Sequence, residues 1–269
     1  MHRAILVAGT ALMLVSRPAA AQHEHDEQHD HGVHTHRGPG PHFIDAFFTE
    51  NAYIERKLRP DLFVSTGDEG ERYTGQLEVE WAVIPRVSLI VHAPLHHLRP
   101  AAGSSQTGIG DIAVGPKLAV INDRTRFILA LGADVHLPTG DETRGLGEGH
   151  AAAAPFLLAW LPFGPERRLL LQGSGHAEIP IDSDEDTHAE VSTALSWTSP
   201  LGVTPLVEGI VEFPVSGDEE ASWAIAPGFR WEFAQAWELG AAVRVPVAGP
   251  KEEDVRLAFG LIRHFPLPR

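Results

Sequence analysis

Residues 222–233 read SWAIAPGFRWEF. Trp223, Ile225, Pro227, Phe229, Trp231 and Phe233 fall on one parity, and Ala224, Ala226, Gly228, Arg230 and Glu232 on the other. In an extended chain residues two apart share a face, so this is a strand with one large apolar face and one small or charged face. Residues 126–137 (RFILALGADVHL) and 236–247 (AWELGAAVRVPV) repeat the pattern. Twelve such segments follow one another, starting near residues 57, 72, 87, 108, 124, 150, 167, 188, 202, 222, 237 and 254. Each is long enough to cross a bilayer as a tilted strand of about 9–11 residues. Strands of soluble sandwiches are shorter, near about 5–6 residues.

The connections alternate in length. Short ones fall at residues 84–86, 122–123, 161–166, 199–201 and 234–236, and longer ones at 67–71, 99–107, 138–149, 180–187, 215–221 and 248–253. Short periplasmic turns and longer outer loops mark outer-membrane barrels. The expectation is an all-β chain: a single up-and-down antiparallel transmembrane β-barrel of about 12 strands over residues 57–269, embedded in outer-membrane lipid. An even strand count puts both ends of the barrel in the periplasm. Every tryptophan (Trp81, Trp160, Trp197, Trp223, Trp231, Trp237) lies near a strand end, where interfacial girdles belong. The longer loops are acidic, as in Asp182-Ser183-Asp184-Glu185-Asp186, which reads as solvated tips or as cation capture.

Composition narrows the function. The 269 residues carry a net charge of −15, which excludes a nucleic-acid partner, because a phosphate binder needs a Lys/Arg excess. With no cysteine, disulfides, thiol catalysis and cysteine-based zinc sites are absent. Residues 1–21 read as a signal peptide: a polar start, the apolar run Ala4 to Val15, and Ala19-Ala20-Ala21 before Gln22. Export to the outer membrane of a Gram-negative bacterium follows.

The chain has 16 histidines, and residues 22–42 hold His23, His25, His29, His31, His34, His36 and His42. Three His-x-His pairs each offer two imidazoles to one ion, and imidazole suits Zn, Cu or Ni. The tract lacks apolar residues, so it reads as a disordered His-rich periplasmic arm that either buffers a divalent metal, hands it to a periplasmic partner, or is a plain solvated tail. Residues 43–56 form a linker or a short plug helix, with Ile44, Phe47 and Phe48 on one face. Equally, residues from Ala52 belong to the first strand. No motif requires a cofactor.

Strand parity turns His92, His96, Asp134, His136, His176 and Glu178 into the lumen, along with Glu78, Glu80, Lys117, Glu208, Arg230 and His264. Such a set lines a transport path, passes a cation, or forms a polar lattice that fills the barrel.

Thr107-Gly108-Ile109-Gly110-Asp111 followed by Gly115-Pro116-Lys117, and then Pro138-Thr139-Gly140-Asp141 one hairpin later, resemble the two motifs of an outer-membrane family named for the meta-pathway of phenol degradation. The resemblance covers roughly Leu58 to Phe265 and implies an outer-membrane transport barrel, with Gly108, Gly110, Asp111, Lys117, Pro138, Thr139, Gly140 and Asp141 as its motif residues. Enzyme signatures are missing. Gly108-x-Gly110-x-x-Ala113 would need a following helix to bind a dinucleotide, and strand alternation follows it instead. Three readings emerge: a small-solute channel linked to metal handling through the arm, a passage for hydrophobic or aromatic compounds, or a non-transporting surface barrel that binds cations.

Overall fold

The computed structural model describes residues 42–181, 183, 185–215, 220–251 and 253–267. The signal peptide and the arm histidines His23 to His36 lie outside these residues. The strands are β1 (Arg56–Gly67), β2 (Gly70–Ile84), β3 (Val87–Pro100), β4 (Gln106–Ile109), β5 (Ile112–Asp123), β6 (Phe127–Leu137), β7 (Ala151–Phe163), β8 (Leu169–Ile181), β9 (His188–Trp197), β10 (Val203–Pro214), β11 (Ser222–Ala234), β12 (Trp237–Ala248) and β13 (Val255–His264). Apart from β4 and β5, which both pair with β3, each pairs antiparallel with its sequence neighbours, and β13 pairs back onto β1 from Lys57↔His264 to Thr66↔Val255. The sheet is therefore closed, and no edge is left to meet lipid.

Twelve wall positions hold thirteen strands, because the segment expected from residue 108 is broken. β4 and β5 both pair with β3, through Leu95↔Ile109 and His92↔Ala113. The registers differ by one residue, a β-bulge at Gly110-Asp111.

Parity sets the two surfaces. Trp223, Ile225, Phe229, Trp231 and Phe233 face outward and are exposed, as are Leu257, Phe259 and Leu261 of β13. In water such a belt would be unfavourable; in hydrocarbon it is the matched surface. Arg263, which interrupts the belt near its end, places its guanidinium 5.1 Å from the Trp237 ring and 5.6 Å from that of Phe265. A cation over aromatic faces suits an interface. Five tryptophans are outward, but Trp160 is 0% exposed and points inward, which corrects its assignment to the girdle. One long connection is also shorter than expected: Asp68-Glu69 alone joins β1 to β2.

The end bearing the short turns also carries the start of β1 and the end of β13 and is the periplasmic end. Residues 42–55 form neither helix nor strand. They run inside the barrel and fill its periplasmic half. Phe43, Ile44, Tyr53 and Ile54 pack against the inward side chains Ala82, Ile128, Leu158, Trp160, Leu170 and Leu206. Burying each Ile or Phe contributes about 1.5–3 kcal/mol. The Phe43 ring stacks on Trp160 at 4.8 Å and meets Tyr53 edge-on at 4.9 Å.

Candidate functional site

The inserted segment is held by polar side chains of the wall. An irregular backbone inside a barrel has no ladder to satisfy its N–H and C=O groups, so inward side chains must do so. Glu208 accepts from the backbone N–H of Phe47, Phe48 and Thr49 at 2.9, 2.9 and 2.7 Å. Arg230 donates to the carbonyls of Asp45 (2.7 Å) and Ala46 (3.1 Å), and Gln172 to that of Ile44 (2.8 Å). Gly240 and Gly260 make room for Phe47, because a Cβ at either would lie 3.1 Å from its ring.

Around this segment lies a buried ionic lattice. Lys57 Nζ meets Asp45, Glu55 and Glu78 at 2.9, 2.9 and 2.8 Å. Lys117 Nζ meets Glu80 at 2.7 Å and donates to the Asn51 carbonyl at 3.2 Å. His264 bridges Glu55 (3.2 Å) and Glu238 (2.9 Å). Lys57, Glu80, Lys117 and Trp160 are all 0% exposed, buried between the wall and the inserted segment.

Above the segment, among the described residues, cavities follow one another along the lumen. The innermost, about 350 Å³, has Phe47, Phe48 and Phe63 on its floor and His92, Asp134, His136, His176, Glu50 and Glu190 among its lining. The next, about 210 Å³, is lined by His96, Asp111, His136, His150, Glu148, Glu178 and Arg72 among others. The mouth, about 680 Å³, includes Arg72, Arg144, Glu148 and Arg256. Neighbouring cavities share lining residues: Pro94, Asp111 and His136 join the inner two, and Arg72 and Glu148 join the outer two.

The structure places His92, His96, Asp134, His136, His176 and Glu178 in the lining of the two inner cavities. His136 Nδ1 lies 3.4 Å from Glu178 Oε1. β7 stands between their strands, and its inward Ala152 and Ala154 are small enough for the two to meet above it. His92 pairs with Gln76 (3.2 Å), and His96 with Thr74 (2.9 Å). These residues do not converge on one point. Among the described residues, the trios that bring three ligand atoms within 4.8 Å are Asp45/Glu55/His264 and Glu50/Glu78/Glu80. Both already receive a lysine ammonium. Parity finds the lining, whereas Arg72, Glu190 and His150 escaped notice although Arg72 and Glu190 share the inward parity of their strands.

The two motifs form one unit. The bulge takes the Gly110 carbonyl and the Ile112 N–H off the regular ladder, and the Thr139 hydroxyl serves both, donating at 2.7 Å and accepting at 3.0 Å. Asp111 accepts from the N–H of Gly140 (2.8 Å) and Glu148 (2.7 Å), clamping both ends of the loop after β6. Charge-assisted bonds of this kind contribute about 1.5–3 kcal/mol each. A Cβ at Gly110 would lie 2.3 Å from His96 Nε2, so a larger residue there would displace the His96 ring. Asp141 holds the Thr143 hydroxyl at 2.6 Å as the loop enters its single 3-10 turn.

The family described as "Putative MetA-pathway of phenol degradation" matches residues 61–251, a span that holds the bulge, the clamp and Lys117. The chain belongs to this family. No curated protein matches the sequence. Among solved structures, the COG4313 outer membrane channel from Pseudomonas putida F1 is similar at 15% identity and TM-score 0.67, covering 83% of this chain and 100% of that one. The KdgM porin (9% identity, TM-score 0.56, 78% and 99% covered) and the NanC porin (9%, 0.55, 79% and 100%) share the barrel as well. These family and fold relations, with the apolar belt, place the chain in the outer membrane of a Gram-negative bacterium. The relatives named are channels and porins, not enzymes.

Proposed function

We propose that this barrel is a channel admitting a small solute from outside, with a preference for cations, into a chamber above the inserted segment. One observation carries the reading: cavities that share lining residues succeed one another from the mouth to residues 47–50. Along the two inner cavities, Asp61, Glu78, Asp111, Asp134, Glu148 and Glu178 outnumber the cations Arg59 and Arg72. Low-dielectric walls lined by one sign of charge concentrate counter-ions. Passage onward requires the inserted segment to shift. In planar bilayers under a salt gradient, the reversal potential is expected to show cation preference, and anion preference would reject the proposal. Zero conductance, even after residues 42–50 are removed, would favour a non-transporting barrel.

A divalent metal as the cation is the finer form of this reading, supported by the three His-x-His pairs of the arm. In it the arm buffers Zn, Cu or Ni or passes it to a periplasmic partner. Calorimetry of the chain with and without residues 22–42 tests this, and equal affinity in both forms would sink it. The aromatic floor of Phe47, Phe48 and Phe63 and the family's description support a second reading, uptake of a hydrophobic or aromatic compound. Liposome uptake of such compounds in the absence of cation flux would select it.

A further inference from the structure

The loop between β6 and β7 is built as a partition. Arg144 and Glu148 face the mouth, while Gly145, Leu146, Gly147 and His150 face the chamber below. It is pinned at several points: Asp111 clamps Gly140 and Glu148, Thr139 fills the bulge, and Arg144 donates to Gln106 Oε1 (2.9 Å) and the Thr107 carbonyl (3.0 Å). Leu146 is 2% exposed and seated where a Cβ on Gly108 would come within 2.8 Å of it. Arg72 and Glu148 are the two residues common to the mouth and the chamber, so they flank the opening between them. Arg72 has no hydrogen-bond or ion-pair partner among the described residues, which leaves its guanidinium available to a passing solute.

We propose that this loop, residues 138–150, is the size and charge filter of the outer mouth, that Asp111 and Thr139 are its positioning residues, and that Arg72 and Glu148 are its selecting pair. The two family motifs then act together: one makes a bulge in the wall, and the other uses the groups the bulge frees to hang a constriction across the lumen. An arginine and a glutamate lining one opening favour solutes that present both an anionic and a cationic group. The proposal rests on the channel reading.

The chain has no cysteine, so A154C gives it a single thiol, in the 350 Å³ chamber below the loop. Cells displaying A154C are treated from outside with a small trimethylammonium thiosulfonate, its sulfonate analogue, and a bulky fluorescein maleimide. Labelling reads entry from outside, not passage beyond the inserted segment, so it stands apart from the bilayer test. In the parent the small reagents react and the bulky one is excluded. D111N, T139V and L146A, each checked as folded by heat-modifiable gel mobility, are expected to speed bulky labelling about ten-fold, the equivalent of about 1.4 kcal/mol in loop closure. R72Q should raise the ratio of cationic to sulfonate labelling several-fold, and E148Q should lower it, roughly as single charges in focusing clefts do. Free bulky labelling of the parent, or unchanged bulky rates in all folded loop variants, would overturn the size filter. An unchanged charge ratio in both R72Q and E148Q would overturn the selecting pair.

Discussion

Glu208 holds the inserted segment through three backbone groups, and Glu208→Ala should release it. The carboxylate accepts three backbone N–H groups, from Phe47, Phe48 and Thr49, at 2.7–2.9 Å. No ion pair reaches it among the described residues. Truncation leaves three donors without a protein acceptor, at about 1–3 kcal/mol each. Two effects offset this: a buried charge without a cationic partner is removed, and water from the adjoining chamber, whose floor is Phe47 to Glu50, can reach some of the freed groups. A net loss of about 3 kcal/mol remains, which raises the population of the displaced segment by about two orders of magnitude. Glu208→Gln keeps one acceptor oxygen and should lie between. The assay is thiol labelling of S174C, beside the segment, from the periplasmic side, together with single-channel recording. Labelling and conductance as low in Glu208→Ala as in the parent would refute the view that these three bonds hold the segment in place.

Lys117→Met leaves Glu80 and Glu50 without their shared ammonium and should destabilise the barrel by about 3–5 kcal/mol, read as a lower midpoint of heat-modifiable mobility, with Lys117→Met/Glu80→Gln recovering part of the loss. Phe259→Arg puts a charge into the lipid-facing belt of β13 and should cost about 2–4 kcal/mol in reversible folding into liposomes, whereas Phe259→Leu should be nearly silent. Burial, then Glu178, Glu185 and Asp111 nearby, raise the Glu148 carboxyl above its usual value. Because the raised group protonates at higher pH than an exposed glutamate, cation preference should fall early on acidification; reversal potentials measured across pH should show this in the parent and a flatter profile in Glu148→Gln.

The barrel wall is legible in the sequence because parity is a local property. In SWAIAPGFRWEF each residue's face follows from its neighbours alone, and the outward and inward sets of β11 come out as read. The interior is less legible. Ile44, Phe47 and Phe48 suggest a helix face by their spacing, but their environment is set by Gln172, Glu208 and Arg230, and a chain supplied with such partners needs no helix. Trp160 illustrates the weight of context: proximity to a strand end suggested the girdle, while its shared parity with Leu158 and Ala154 points inward. The break between β4 and β5 is hidden because a bulge is defined by its partner strand. Gly110 and Asp111 mark the motif, yet only the placement of Thr139 explains why that strand tolerates an extra residue.

The inserted segment also constrains how the molecule assembles. Its bonds to the wall join residues 128, 161 and 185 positions apart, and its link to His264 spans 209. Such contacts have large loop-closure entropies and cannot form while the chain is still open. Residues 42–55, which precede every strand of the wall, are therefore among the last to find their partners. The lodging of residues 42–55 draws on side chains from β8 to β13, so it and the closure of the seam between first and last strands both come late. A substitution that weakens the lodging should delay seam closure as well, and the unclosed edge of β1 is then the surface exposed to misassembly.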